Sequence, residues 1–208
     1  LKGMNEPYSG NNLCKYINGQ VKSKGNIKNG KLNGKVTTWY ANGQMLSEKH
    51  YKDGKKDGKW TNWYENGQIK SEELYMEGNV VDKTRYTYHE NGEIKSKEYY
   101  INGKLEGIGT YWHDNSQKGS EGGYKEGKQD GKWTNWYENG MKWTDRNYKD
   151  GKQDGKSTQW YANSQIWSEK NYKDGKQDGK STEWYANGQM LSEKHYKDGK
   201  KDGKWTNW

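Results

Sequence analysis

The side chains of this sequence best suited to contacting another molecule are tryptophans that recur at one position of a repeated pattern. They form a row with one tyrosine in it: Trp39, Trp63, Tyr88, Trp112, Trp136, Trp160 and Trp184. Trp143 and Trp167 add two further rings at neighbouring positions. Exposed aromatic rings at regular spacing can stack on sugars, on bases or on a protein surface. The alternative is that the rings pack on their own sheet, covered by the aliphatic stems of lysines. The pattern leaves both interpretations open.

The other residues capable of chemistry have simpler explanations. Aspartates four residues apart, such as Asp53 and Asp57, are interleaved with lysine and lack the alternating acids of a calcium loop, so turn formation accounts for them. His89 and His113 occupy one slot in successive repeats, about 9–10 Å apart at two strand spacings, and we expect them to replace tyrosine in packing. Cys14 stands alone, without a histidine partner in any motif. The sequence predicts no catalytic residue, no cofactor and no metal site.

A strict period organises these residues. Asn-Gly, or Asn-Ser in its place, recurs in steps of 24 residues with a single step of 25, ending at 19, 43, 67, 92, 116, 140, 164 and 188. A second glycine keeps the same period, at 30, 54, 78, 103, 127, 151, 175 and 199. Periods of this length are typical of repeat architectures in which each unit contacts only its neighbours. The extra residue falls in 79–83, where we expect a local bulge or a change in twist.

Each repeat is predicted to be one β-hairpin. A short aromatic run precedes Asn66-Gly67, a dipeptide that favours a two-residue type I′ turn. With these two residues at the tip, one face carries the pairs Tyr64 with Ile69, Asn62 with Ser71 and Trp60 with Glu73, and the other carries Trp63 with Lys70 and Thr61 with Glu72. We take the face with tyrosine, isoleucine and serine as the packed one. The expected fold is all-β, an elongated, twisted antiparallel sheet of about eight stacked hairpins forming a single-layer solenoid.

Composition supports an ordered chain and argues against nucleic acid as a partner. Leu, Ile and Val are scarce and Phe is absent, but 12 Trp and 18 Tyr can cover a sheet. The net charge of +8 comes almost entirely from lysine, since arginine occurs only at Arg85 and Arg146. The lysines alternate with acids, which is typical of a solvated surface, and nucleic-acid sites depend on bidentate arginine.

The hairpin unit resembles a known family. The pattern Gly-Lys-Trp-Thr-x-Trp-Tyr-x-Asn-Gly-Gln, followed by Ser-Glu and then Tyr-Lys-Asp-Gly, is similar to the bacterial MORN-repeat variant. Residues 58–78, 131–151, 155–175 and 179–199 match well, and the resemblance extends over 15–208. The resemblance implies a module for protein interaction or lipid binding, and relatives are often described as antitoxin-like. It supplies no catalytic residue.

An internal duplication argues against an enzyme. Residues 39–63 recur unchanged at 184–208, whereas a catalytic centre is a unique constellation of groups in different roles. We therefore expect a non-enzymatic scaffold or multivalent binding module with a protein partner. An antitoxin or immunity protein with one toxin partner is the main alternative. A glycan bound through tryptophan, or an anionic membrane surface contacted through lysine, is a third interpretation.

The expected domain organisation is an N-terminal segment or cap over 1–14 and a repeat array over 15–208. Because the sequence stops at Trp208, inside a repeat, we expect the natural protein to continue; if it does not, the open edge would serve end-to-end assembly. The compartment stays open, since a scaffold would suit the secreted or cell-surface environment and an antitoxin the cytoplasm.

Overall fold

The computed structural model describes residues 8–208 and contains antiparallel strands without a helix in that range. Residues 1–7 of the predicted N-terminal cap lie outside the described part. The all-β class of stacked hairpins is confirmed. By contact the described chain divides into an N-terminal unit, residues 8–86 with 100–103, and a C-terminal unit, residues 87–99 with 104–208. No helix in residues 8–208 is long and apolar enough to cross a membrane.

The strands follow one another in hairpin order. The first eight are β1 Gly10–Lys15, β2 Val21–Lys28, β3 Lys31–Trp39, β4 Met45–Lys52, β5 Lys55–Lys56, β6 Gly58–Trp63, β7 Ile69–Met76 and β8 Asn79–Tyr88. The next seven are β9 Ile94–Ile101, β10 Lys104–Leu105, β11 Gly107–Trp112, β12 Lys118–Lys125, β13 Lys128–Trp136, β14 Lys142–Lys149 and β15 Lys152–Gln153. The last six are β16 Gly155–Trp160, β17 Ile166–Lys173, β18 Lys176–Trp184, β19 Met190–Lys197, β20 Lys200–Lys201 and β21 Thr206–Asn207.

The Asn-Gly turn is not the two-residue type I′ turn that the sequence predicts. Tyr64 N donates to Gln68 O at 2.8 Å and Gly67 N donates to Tyr64 O at 2.9 Å, which closes a loop of three residues. Gly67 has a φ of 85°, whereas Asn66 is not among the residues with positive φ. This is a type I turn followed by a left-handed residue, the usual three-residue hairpin with a bulge. All eight Asn-Gly or Asn-Ser turns close with the same pair of hydrogen bonds.

Because the loop has three residues, the strands next to it pair differently from the prediction. Asn62 pairs with Ser71 as expected, but Trp63 pairs with Ile69, and Lys70 is left as the extra residue of a bulge. The predicted pairs Tyr64 with Ile69 and Trp63 with Lys70 are therefore wrong. We call the side of the sheet that carries Ser71 the serine face and the side that carries Thr61 the threonine face. The bulge moves isoleucine to the threonine face and the residue after it to the serine face.

The turns at the opposite ends of the strands are of type I′. We call the side of the sheet with the three-residue loops the Asn-Gly edge and the side with the type I′ turns the Asp-Gly edge. Asp53 and Gly54 have φ values of 51° and 84°, and Lys52 pairs with Lys55 directly across them. Asn29, Glu77, Asn102, Glu126, Asp150, Asp174 and Asp198 have φ between 49° and 52° at the same position. Two positive φ angles in sequence define this turn, and Asn, Asp and Gly adopt them most readily.

The core consists of thin rows and not of a thick apolar interior. On the serine face, Ser47, Ser71, Ser96, Thr144, Ser168 and Ser192 are at most 6% exposed. Their hydroxyls bond to the facing strand, as in Asn62 Nδ2 to Ser71 Oγ at 3.1 Å. In residues 8–208 no buried side-chain nitrogen or oxygen lacks a hydrogen-bond partner. Short hydroxyl side chains between longer neighbours thus become buried at little desolvation cost.

Tryptophan joins the serine-face core in two places. In the N-terminal unit, Trp60 lies between Tyr51 and Tyr75 at ring-centroid distances of 5.1 and 4.6 Å, and its Nε1 donates to His50 O at 2.8 Å. Burial, with a smaller contribution from the hydrogen bond to the Glu73 carboxylate, raises the pKa of Tyr75 to about 12. The contacts with Tyr51, Tyr75 and His50 O hold the Trp60 ring in place and give its indole N–H a hydrogen-bond acceptor.

In the C-terminal unit the corresponding tryptophan needs a glycine beneath it. Trp133 lies 5.2 Å from Tyr124 and pairs with Gly122 across the strands. A Cβ at Gly122 would lie 2.2 Å from the indole ring, so only glycine fits there.

The irregular repeat contains the expected bulge. Leu74 pairs with Asp82 and Tyr75 pairs with Val80, which leaves Val81 without a partner in the ladder. The prediction of a local irregularity in 79–83 is confirmed.

Candidate functional site

The predicted tryptophan row lies on the threonine face and is half-buried. This holds for Trp39, Trp63, Tyr88, Trp112, Trp136, Trp160 and Trp184. Trp39 pairs with Met45 and Trp160 with Ile166. The Nζ atoms of Lys118 and Lys142 lie 5.6 Å from the ring centroids of Trp136 and Trp160. The row therefore combines the two interpretations left open by the sequence: partly covered by neighbours and partly accessible.

Charges on the threonine face are arranged as pairs. Lysine and a carboxylate on the next strand form the same bridge in successive hairpins: Lys35 with Glu48, Lys59 with Glu72, Lys132 with Asp145, Lys156 with Glu169, and Lys180 with Glu193. Burial alone would raise the pKa of Asp145, but hydrogen bonds from Thr134, Lys132 and Lys142 outweigh it and the pKa is lowered. Such exposed pairs contribute little stability each. They do neutralise much of the lysine charge that a phosphate backbone would require.

The backbone of the tryptophan row is held from the preceding hairpin. The hydroxyls of Tyr16, Tyr40, Tyr137 and Tyr161 donate to the carbonyls of Trp39, Trp63, Trp160 and Trp184 at 2.7 to 2.9 Å. His89 Nε2 and His113 Nε2 lie 2.8 and 3.0 Å from the carbonyls of Trp112 and Trp136. Since a carbonyl only accepts, the ring nitrogen must carry the proton in both. The two histidines thus occupy the tyrosine position and make the same contact.

Trp143 and Trp167 lie on the opposite face from the tryptophan row. The sequence prediction had placed them beside that row, and the bulge explains the difference. Each is the extra residue of its hairpin and packs against a tyrosine of the serine face, with ring centroids 6.0 Å apart for Tyr137 and Trp143 and 6.1 Å for Tyr161 and Trp167. Trp143 is 44% and Trp167 40% exposed. These are the most accessible of the predicted site residues.

We call the positions of these bulge residues the bulge row. From the N-terminus it consists of Lys22, Leu46, Lys70, Lys95, Gly119, Trp143, Trp167 and Leu191. Apart from Lys95, each of them is the residue of its hairpin that the strand pairing leaves unpaired.

A depression of about 760 Å³ opens in the C-terminal unit where the bulge row has no side chain, at Gly119. Its wall includes His113, Tyr137 and Trp143, with Ser120 and Asn135 among the polar residues that line it. Glu138 is the charged residue of the lining, and the lining contains neither lysine nor arginine. An apolar depression with a few polar groups is the usual form of a ligand site. Sequence reasoning missed it, although an alignment of the eight bulge positions would have marked Gly119.

Residues 8–208 contain no group of three or more His, Cys, Asp and Glu side chains able to hold a metal ion. Cys14 is exposed and unpaired. The paired aspartates have a structural contact instead: Asp154 Oδ2 accepts from the backbone N of Asp174 at 3.1 Å, and Asp178 Oδ2 accepts from Asp198 N at 3.3 Å.

Comparison with known proteins identifies the repeat. The model of the MORN repeat variant matches residues 32–53, 56–77, 82–102, 95–113, 129–150, 153–174 and 177–198, more than half of the chain. The chain belongs to the MORN repeat variant family. The family model does not cover 114–128, the stretch that contains Gly119, although the structure forms the hairpin β11–β12 there. The first hairpin, before residue 32, is likewise outside the matched residues.

Solved structures give weaker likenesses. The chain is similar to a TcdB2-TccC3-Cdc42 structure at 13% identity and a TM-score of 0.32, covering 91% of this chain and 12% of that one. It is similar to the Tc holotoxin pore of Photorhabdus luminescens at 14% identity and a TM-score of 0.32, covering 90% and 12%. The chain spans 12% of the length of these structures, and likenesses this weak say nothing about its function. No curated protein matches the chain.

Proposed function

We propose that this MORN repeat array is a non-enzymatic scaffold that binds a protein partner through the bulge row of its C-terminal unit. The observation that supports this most directly is the pair Trp143 and Trp167, two exposed rings held at the same position of successive hairpins. Aromatic residues dominate the energetics of protein interfaces because they bury large areas at a small cost in conformational entropy.

The setting of the two tryptophans favours a defined interface. Each ring is supported by a tyrosine whose hydroxyl is itself bonded to the next hairpin, Tyr137 to Trp160 O and Tyr161 to Trp184 O. Met141, 44% exposed, stands where most repeats have glutamine, and its sulfur accepts from Ser164 Oγ at 3.3 Å. The anchors are therefore prearranged, which reduces the ordering cost of binding. Successive hairpins place them about 9–10 Å apart, so a partner can contact both.

This proposal is tested by replacing the two tryptophans with a residue that other repeats of the chain carry at the same position. Lysine occupies the bulge position at Lys22 and Lys70, so Trp143→Lys with Trp167→Lys keeps a side chain that the fold accepts. Leu46→Lys is the matched control, because it introduces the same residue at a bulge of the N-terminal unit. We expect a purified partner to bind the native protein and the control at a fixed stoichiometry, and to bind the double variant at least tenfold more weakly, since two aromatic anchors are lost.

Two outcomes would refute the proposal. One is equal loss of partner binding in Leu46→Lys, which would indicate an effect of charge. The other is saturable binding of glycans or of anionic vesicles that depends on the same tryptophans, with no protein partner found by reconstitution. A protein recovered from an extract counts only when the purified pair reproduces the binding.

A further inference from the structure

The eight bulge positions differ in what fills them, and only one carries no side chain. Three are lysine (Lys22, Lys70, Lys95), two are leucine (Leu46, Leu191), two are tryptophan (Trp143, Trp167) and one is Gly119. Gly119 does not have a positive φ, so its backbone does not demand glycine. A Cβ there would lie 3.2 Å from Cε1 and Nε2 of the His113 ring, which a shift of a few tenths of an ångström would relieve. Neither backbone geometry nor a severe clash explains why this position lacks a side chain.

The chain shows what kind of group this position accepts. Lys22 Nζ lies 5.5 Å from the ring centroid of Tyr16, and Lys70 Nζ lies 5.3 Å from the ring centroid of Tyr64. In both hairpins the aliphatic stem starts at the bulge and the ammonium group ends over the aromatic ring of the same hairpin. A cation within about 6 Å of such a ring is attracted by its quadrupole.

The surroundings of Gly119 suit a cation that comes from outside. The space that a lysine stem would fill is open, and its walls include Tyr137 and Trp143. Glu138 also lines it, without a lysine or arginine in the lining. An aromatic wall with a carboxylate nearby attracts an ammonium group through both cation–π and charge interactions.

We propose that the Gly119 depression is a socket for a lysine side chain of the protein partner, which takes the place that Lys22 and Lys70 fill in their own hairpins. The inference rests on the proposed function and specifies the chemistry of the partner. His113 is the ring that corresponds to Tyr16 and Tyr64 in this hairpin, and Tyr137 and Trp143 of the next hairpin form the rest of the wall along which the incoming stem lies. The ammonium group is oriented by Glu138. The two exposed tryptophans and the socket then form one interface along the bulge row.

A peptide titration tests the socket without the partner. The probes are acetyl-Gly-Lys-Gly-amide and the same peptide with norleucine, which keeps the stem and removes the charge. The readout is the shift of the Trp143 indole N–H in ¹H–¹⁵N spectra. We expect saturable binding of the lysine peptide in about the millimolar range, and binding of the norleucine peptide at least fivefold weaker, consistent with one cation–π contact and one charge-assisted contact.

Two variants locate the site. Gly119→Lys restores the residue of the other hairpins, so the protein's own ammonium should displace the peptide and weaken its binding at least tenfold. Glu138→Gln removes the carboxylate at an exposed turn and should weaken binding of the lysine peptide about threefold while leaving the norleucine peptide unchanged. Leu46→Lys, which adds the same charge elsewhere, should leave both titrations unchanged. Circular dichroism and the melting temperature establish that each variant is folded.

The socket is overturned if the norleucine peptide binds as well as the lysine peptide, if Gly119→Lys leaves the titration intact, or if Leu46→Lys weakens it as much. A partner whose binding needs Trp143 and Trp167 but is unaffected by Gly119→Lys would also overturn the socket and leave the proposed function standing. If no partner is found, the proposed function fails and the peptide titration still decides the socket.

Discussion

The Asn-Gly edge and the Asp-Gly edge, where the strands turn at their two ends, use nearly the same dipeptide to make different turns. At one edge Asn66-Gly67 ends a three-residue loop in which only glycine has a positive φ. At the other edge Asp53-Gly54 forms a two-residue turn in which both residues do. Asn29-Gly30 and Asn102-Gly103 also have two positive φ angles, so the difference teaches that the dipeptide alone does not decide the turn.

This difference also determines where the candidate site lies. After the three-residue loop Trp63 pairs with Ile69, and the return strand then has one extra residue, Lys70, before Asn62 pairs with Ser71. The bulge directs Lys70, Trp143 and Trp167 away from the threonine face and toward the tyrosine of the same hairpin on the serine face. The hairpins at the other edge also shift register after the second pair from the tip, as between Lys170 and Tyr172. There the tyrosines pack against buried tryptophans, Tyr75 against Trp60 and Tyr124 against Trp133.

Both edges hold successive hairpins together, but with different chemistry. At the Asn-Gly edge the asparagine side chain donates to a backbone carbonyl of the next hairpin, as Asn115 Nδ2 does to Glu138 O at 2.8 Å. At the Asp-Gly edge a carboxylate accepts from a backbone N–H of the next hairpin, as Asp154 does from Asp174. The side chain in the contact is therefore a neutral amide at the Asn-Gly edge and a charged carboxylate at the Asp-Gly edge.

The largest expected effect distinguishes the two turns by valine substitution. Asp53→Val, Gly54→Val and Gly67→Val each place a β-branched residue at positive φ and should reduce the free energy of unfolding by about 2–3 kcal/mol. Asn66→Val should cost about 1 kcal/mol, because it loses only the bonds of the side chain, including the one from Gln68 N to Asn66 Oδ1 at 3.1 Å. Urea unfolding followed by fluorescence measures the four variants. If Asn66→Val were as costly as Asp53→Val, the assignment of different turn types would be wrong.

A smaller effect, of opposite sign, is expected where serine replaces glycine in the three-residue loop. Ser116 and Ser164 have φ values of 64° and 65°. Ser164→Gly should therefore raise the free energy of unfolding by about 0.5–1 kcal/mol through relief of strain. Ser168→Gly is the contrasting control, since Ser168 is 1% exposed, bonds to Gln159 Oε1 at 3.0 Å and does not have a positive φ. A destabilised Ser164→Gly protein would show that its contact with Met141 outweighs the strain.

The fold could be predicted from the sequence because the signals for hairpins repeat eight times, whereas the site depended on a detail of one residue per repeat. Asn66-Gly67 fits both turn types, and the choice shifts Ile69 and Lys70 to opposite faces. The pairs farther from the tip, such as Asn62 with Ser71, were correct because the bulge restores the register. The depression at Gly119 depends on what neighbouring hairpins do not fill, and no pattern within one repeat contains that information.

The smallest expected effect concerns acid, which should release one edge and not the other. The backbone N–H of Asp198, followed by the Lys197 ammonium, lowers the pKa of Asp178. A group with a lowered pKa makes its contact above that pKa and loses it as the pH falls through it, here below the ordinary value of about 3.9. In ¹H–¹⁵N spectra between pH 6 and 2, the Asp198 amide should therefore shift with a midpoint below about 3.9, and Asp178→Asn should remove that transition. At the opposite edge Asn163 Nδ2 donates to Ala186 O of the next hairpin at 3.0 Å, and Asn163 Oδ1 accepts from the amide of Gln165 at 3.0 Å. The Gln165 amide should not shift over the same range, because its acceptor has no proton to gain. If the Gln165 amide moved together with the Asp198 amide, the two edges would be opening as one unit, and the contrast between a charged and a neutral edge would not govern how the repeats are held together.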